Sequence, residues 1–226
     1  MAISNPFRLF NPIFNHYIGG GERPVFFDID STSPALRLLE QNIEKIQTEL
    51  DTILPLDIPK YHEVDNWQYK ISGEVNPEKN WKVFLLYSFG QKPKKNRALC
   101  PNTTEMLDSI PHLFQAFFSI LDPGKSIPAH SGPYRGYLRY HLGLRIPSEK
   151  PPKIRIKNEF HTWAEGESIL FDDSWDHEVI NDSNGTRVIL IIDVLRPLPR
   201  LPHLLNLFIH DVFGKLYGKK LMKSFK

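Results

Sequence analysis

From Ser126 to Pro197 the chain never runs far between turn formers. Pro128, Pro133, Pro147, Pro151-Pro152, Gly166 and Gly185 interrupt it, and short segments rich in Val, Ile, Leu and aromatic residues lie between them. Proline breaks helix interiors and is confined in sheets to edges and strand starts, so this stretch is ill suited to a helical bundle or to long central strands. The segments 126–130, 136–146, 153–158, 168–172, 177–181 and 187–195 read as strands, with Asn184-Gly185 as a hairpin turn. Many short strands at that spacing predict a sandwich or barrel-like sheet pair. Gly132-Pro133 would end the first of them at the mouth of the barrel, where ligand sites gather.

The flanks read differently. Residues 33–54 predict one amphipathic helix, with Ser33 as N-cap, Pro34 at its first position and a stripe of Leu36, Leu39, Ile43, Ile46, Leu50 and Ile53. Asn80–Gly90 is a dense aromatic and aliphatic strand, and the basic run 92–97 after it reads as a solvated turn or a rim attracting an anionic substrate. Residues 103–116 predict a helix capped by Thr103 or Thr104, and 116–121 a strand ending at Asp122-Pro123-Gly124. After Pro197, Leu201, Leu204, Leu205, Phe208, Val212 and Leu216 form a helical stripe followed by lysines, which predicts a helix docked on the sheet or lying on a membrane surface. The expectation is one domain, 1–226: an N-terminal cover over 1–79, a β core over 80–197 and a C-terminal amphipathic helix over 198–226.

Composition narrows the function. A formal charge of +2 is too small to argue for nucleic acid, and no run approaches the ~20 apolar residues of a spanning helix. Cys100 is the sole cysteine, which excludes an internal disulfide and a cysteine-based zinc site and fits a cytoplasmic protein.

His130 and His177 are the candidate metal ligands, since neutral imidazole suits iron, copper, nickel and zinc. A non-haem Fe(II) oxygenase commonly adds a carboxylate two residues after the first histidine; here that position is Gly132. Arg139 and His141 share one face of a strand by its period of two. Arg187 opens a Val/Ile strand, where it pairs with an acid such as Asp193, faces solvent, or binds a ligand carboxylate.

HSGPYRGYLRYHLGLRIP, the Trp163-x-Glu165-Gly166-Glu167 turn, FDDSWDHEV and Arg187–Pro197 resemble the aspartyl/asparaginyl β-hydroxylase family. The chain is also similar to bacterial lipid A acyl-chain hydroxylases. The resemblance implies a double-stranded β-helix (a jelly-roll, cupin-like fold), mainly β with flanking helices. It implies Fe(II) on His130 and His177, and 2-oxoglutarate with its distal carboxylate on Arg187 and further contacts from Ser119, Arg139 and His141. Glycine at 132 resembles the protein-acting branch, whereas lipid-type enzymes resemble the full triad. Asp173 would then act catalytically by holding an iron-bound water, while Asp172 and Asp176 are turn residues and Trp163 and Trp175 pack. The implied reaction is hydroxylation of an unactivated C–H bond. The β-carbon of an aspartyl or asparaginyl group, in a peptide or free, is the first candidate. A lipid acyl chain is the alternative, and an inert binding module a third. Peripheral contact with the inner face of a membrane would run through the C-terminal basic helix.

Overall fold

The computed structural model describes residues 6–64, 76 and 78–221. Ten strands form two sheets: β1 (Phe26–Phe27), β2 (Trp81–Ser88), β3 (Leu113–Leu121), β4 (Ile127–Ser131), β5 (Tyr137–Arg145), β6 (Lys153–Ile156), β7 (Glu159–Thr162), β8 (Ser168–Phe171), β9 (Asp176–Ile180) and β10 (Arg187–Leu195). The larger sheet has the order β1-β8-β5-β10-β3-β2 and the smaller β4-β9-β6-β7, with antiparallel pairing throughout. From β3 to β10 the chain passes back and forth between the sheets and pairs within one only at the β6–β7 hairpin. This is the double-stranded β-helix, mainly β with helices at its flanks.

The larger sheet is covered on both faces. On its outer face Phe118, Leu142, Leu190 and Ile192 pack against Leu36, Leu39, Ile46, Leu50 and Ile53 of the N-terminal helices. On its inner face Phe117, Phe171, Ile189 and Ile191 meet Ile127, Ile154, Ile156 and Val179 of the smaller sheet. Each such side chain is worth about 1.5–3 kcal/mol of transfer free energy. Period-two alternation along β10 therefore sorts its residues between a covered back and the barrel interior.

Several expectations are corrected. The helix predicted over 33–54 is three pieces, Pro34–Leu36, Arg37–Gln41 and Ile43–Ile53, broken at Asn42, whose φ of −121° is not helical. The Ser33 side chain makes no cap bond; Asp28 instead caps Ile29–Thr32 by accepting from the Ser31 amide. The helix expected over 103–116 runs Pro101–Ser109, and β3 begins at Leu113. Neither Thr103 nor Thr104 caps it: buried Glu49 accepts from the Asn102 and Thr103 amides at 2.6 and 2.9 Å. The basic run 92–97 is largely the helix Lys94–Leu99. Asn184-Gly185 joins β9 to β10 across the two sheets, so it is a crossover and not a hairpin. β1 and β7 had no distinct strand signal. The loop expected from Pro55 carries a short helix, Tyr61–Val64, and its last residues lie outside the described ones.

Asp172 stands in the β8–β9 turn, as expected, but does more than turn the chain. It is fully buried and paired with Arg23 at 2.8 Å and Arg196 at 2.5 Å, tying the N-terminal cover to the end of β10 through the β8–β9 turn. Burial alone would raise its pKa, but Arg196, the Ser174 hydroxyl and Arg23 outweigh burial and hold it below the ordinary carboxylate value. Replacing Asp172 by Asn leaves two guanidinium groups buried without their carboxylate, and should cost about 3–5 kcal/mol at pH 7 in urea denaturation. A carboxyl with a depressed folded pKa stabilises above its unfolded pKa and loses that contribution as the pH falls. The deficit should therefore shrink below about pH 4. A deficit independent of pH would show that the pair contributes through packing alone.

Candidate functional site

β4 and β9 pair with His130 opposite His177. Cross-strand partners share a face, and the two rings lie with centroids 4.2 Å apart. β4 is an edge strand with a register irregularity between Ile127 and His130, so the missing N–H of Pro128 costs little there. Nδ1 of His130 donates to the Pro128 carbonyl at 2.8 Å, and Nδ1 of His177 to the Trp175 carbonyl at 2.9 Å. Both Nε2 atoms are left as acceptors, the tautomer that ligates metals. Burial lowers the pKa of His130 to about 4 and that of His177 well below its ordinary value, so both rings are neutral at pH 7.

Beside them, Gly132 donates its N–H to the Asp173 carbonyl at 2.8 Å, and a Cβ at Gly132 would overlap the Asp173 carboxylate. Asp173 thus occupies the space a longer side chain at 132 would need. Its Oδ2 accepts from the Tyr137 hydroxyl and from Arg139 Nη1, both at 3.0 Å, while Oδ1 has no hydrogen-bond partner among the described residues. Burial, opposed by Arg139, raises its pKa to about 7. Arg139 also forks onto Asp193 at 2.7 and 2.8 Å. Asp193 is therefore the partner of Arg139 and not of Arg187, and Arg139 is already engaged by two carboxylates.

Arg187 lies at the start of β10, 1% exposed. Its nearest polar contact is Ser119 Oγ at 3.5 Å, and its guanidinium sits 4.1 Å over the Trp163 ring. Nε and Nη2 have no partner among the described residues. Burial pulls its pKa below the ordinary value. Ser119 Oγ accepts from Trp81 Nε1 at 2.9 Å, so its own proton remains available to a ligand. His141, opposite Ile191 on β10, packs on Trp163 and Phe171, and neither ring nitrogen has a partner among the described residues. Burial first, and then Arg187, holds that ring neutral.

Each such orphaned group costs about 1–3 kcal/mol, and native interiors hold few. Of the nine orphaned buried side-chain atoms among the described residues, six belong to Arg187, His141, Asp173 and Trp163. Their concentration marks a ligand site, and a guanidinium with a neighbouring hydroxyl and imidazole suits a carboxylate. The other half offers two imidazoles: no group of three or more His, Cys, Asp or Glu that could hold a metal occurs among the described residues. All seven residues singled out from the sequence belong to this interior. Trp163, expected to pack or else to line the substrate mouth, supplies the surface beneath Arg187, and Trp81 and Tyr137 were missed because their roles follow from pairing between strands.

A family model described as aspartyl/asparaginyl beta-hydroxylase matches residues 40–197. The ornithine lipid ester-linked acyl 2-hydroxylase of Rhizobium tropici is 38% identical over 181 residues, 79% of this chain and 62% of that protein. Human aspartyl/asparaginyl beta-hydroxylase is 39% identical over 123 residues, 52% of this chain and 16% of the relative. Aspartate beta-hydroxylase domain-containing protein 2 of Xenopus tropicalis is 32% identical over 183 residues, 76% of this chain and 47% of the relative. The chain thus spans less than two thirds of each of these relatives.

Arg187→Met removes an unpaired buried cation at similar length. Without added ligand, the variant should be more stable by about 1–3 kcal/mol in urea denaturation. A loss of that size would show that the guanidinium is held by contacts as favourable as an ion pair.

Proposed function

The chain belongs to the aspartyl/asparaginyl β-hydroxylase family, and from that premise we propose that it hydroxylates an unactivated C–H bond with Fe(II) and 2-oxoglutarate. The observation that carries this reading is the pair of adjacent imidazoles, each held through Nδ1 by a backbone carbonyl, in the same interior as Arg187, whose Nε and Nη2 have no partner among the described residues. His130 and His177 would hold the iron. Arg187, with the Ser119 hydroxyl, would take the distal carboxylate of 2-oxoglutarate, and His141 would add a further polar contact. Arg139 fixes Asp173 between itself and Tyr137, and Asp173 Oδ1 would orient a water at the metal. Bound iron and 2-oxoglutarate supply the oxygen activation that no side chain offers. The apolar wall of Phe171, Ile189 and Ile191 limits water around the reacting centre.

Two substrate classes follow from different observations. Glycine at 132 favours the β-carbon of an aspartyl or asparaginyl group. The higher identity to the ornithine-lipid relative, 38% over 181 residues against 32% over 183 for the aspartate beta-hydroxylase domain-containing protein 2, favours a lipid acyl chain. Oxygen-dependent succinate release with Asp- or Asn-containing peptides, free amino acids and acylated lipids separates the two. Release with none of them would favour an inert binding module.

After anaerobic loading, the protein should bind about one iron per chain, and His177→Ala should lose it. Iron retained by that variant would remove His177 from the site. Arg187→Lys keeps the charge but loses the fork, so the apparent affinity for 2-oxoglutarate should fall about tenfold with iron content unchanged. Gly132→Asp drives a side chain into Asp173, and should cost about 1–3 kcal/mol in urea denaturation. In an Asp173→Gly background, Gly132→Asp should cost little further. An undiminished cost in that background would show that the Asp173 carboxylate is not what excludes a side chain at 132.

A further inference from the structure

Most of the apolar stripe read as docking the C-terminal helix on the sheet or on a membrane surface faces outward, with only Leu205 packed against the core. Leu201 is 77% exposed, Leu204 55%, Phe208 56% and Leu216 64%. Docking uses another face: Pro202, Asn206 and Ile209 of the helix Arg200–Ile209, then Gly214 and Gly218 beyond it, are buried. Asn206 accepts from the Tyr134 hydroxyl and donates to the Gly136 carbonyl, both at 2.6 Å. The helix is thus held by Asn206, Pro202 and Ile209, with Leu205 and Leu207 partly buried, while Leu201, Leu204 and Phe208 remain exposed.

A second stripe lies alongside. In the N-terminal segment Pro6–Tyr17, Leu9, Ile13 and Tyr17 recur at intervals of four and are 75%, 46% and 46% exposed. The two segments touch, with the Phe10 and Phe213 rings 5.4 Å apart. Of the twelve large hydrophobic residues exposed among the described residues, nine lie on these two segments. A contiguous apolar face of that kind marks an interaction surface.

Charge identifies the occupant. From Leu198 to Lys226 the sequence carries six basic residues and one acid, in a chain whose net charge is only +2. Lys215 and Lys219 are exposed beside the stripe. A second copy would bring like charges together, whereas an anionic lipid surface complements both the lysines and the apolar residues. No described helix is long and apolar enough to cross a membrane, which limits the contact to the surface. The N-terminal segment is also bound to the loop beyond His130: Arg8 donates to the Ser131 carbonyl at 3.4 Å and Asn11 to the Pro133 carbonyl at 3.0 Å.

We propose that the exposed faces of Pro6–Tyr17 and the C-terminal helix together dock the protein on an anionic bilayer, with the loop after His130 beside that surface. The proposal concerns docking alone and does not depend on the oxidation chemistry. Its test is co-sedimentation with phosphatidylcholine vesicles, with and without about one third phosphatidylglycerol. The wild type should bind the anionic vesicles, and His177→Ala should bind equally, so loss of activity cannot be mistaken for loss of docking. Leu204→Glu combined with Phe208→Glu, both at exposed positions, should weaken binding at least about tenfold. Lys215→Glu with Lys219→Glu should erase the preference for anionic vesicles. Failure of the wild type to bind, or binding unchanged in both variants, would overturn the proposal. A wild-type dimer in light scattering that the Leu204 and Phe208 changes dissociate would assign the face to a second copy and overturn it as well.

Discussion

Strand β10 is buried along all nine of its residues, so each side chain must be satisfied by protein on one face or the other. Its even positions, Val188, Leu190, Ile192 and Val194, are aliphatic and face the helical cover. Its odd positions include Arg187 and Asp193, which no aliphatic wall can satisfy. Asp193 is satisfied by Arg139 from β5; Arg187 is matched by no acid among the described residues. Because β10 sits between β5 and β3, both outcomes are imposed in the middle of the larger sheet. Fold and site therefore depend on the same alternation.

Asp172 and Asp173 show how neighbouring carboxylates acquire different duties from their surroundings. Both are buried in one turn. Asp172 meets two arginines and is held ionised, tying distant segments together. Asp173 meets Arg139, itself shared with Asp193, and keeps one oxygen free beside the histidine pair. Functional groups left unsatisfied inside a protein are a stability cost tolerated for activity. Here that cost is gathered at Arg187, His141 and Asp173, while Asp172 forms ion pairs with both Arg23 and Arg196.

The strands of the core were legible because proline and glycine fix their ends and β-branched residues fill their middles. His130, His177, Arg139, His141 and Arg187 were legible because polar side chains on such strands need a partner or a purpose. What escaped the sequence was every feature set by contact between distant segments. Asn184-Gly185 has hairpin chemistry, yet the strands it joins belong to different sheets. Asp172 reads as a turn former until Arg23 and Arg196 arrive from elsewhere in the chain. The C-terminal stripe was visible by its period, but periodicity does not say which face of a helix meets the core. Two glycines and an asparagine made the less apolar face the closer fit.

Glu49 has a consequence for how the molecule assembles. The helix Pro101–Ser109 takes its amide cap from a residue more than fifty positions earlier in the chain, on Ile43–Ile53. A helix of nine residues is marginal alone, and one without a local cap more so. Its formation is thereby coupled to the arrival of the N-terminal cover, so the two would gain protection from hydrogen exchange as one cooperative unit. The region ahead of the β core is in that sense part of the fold of its neighbour, and not a detachable lid over a finished barrel.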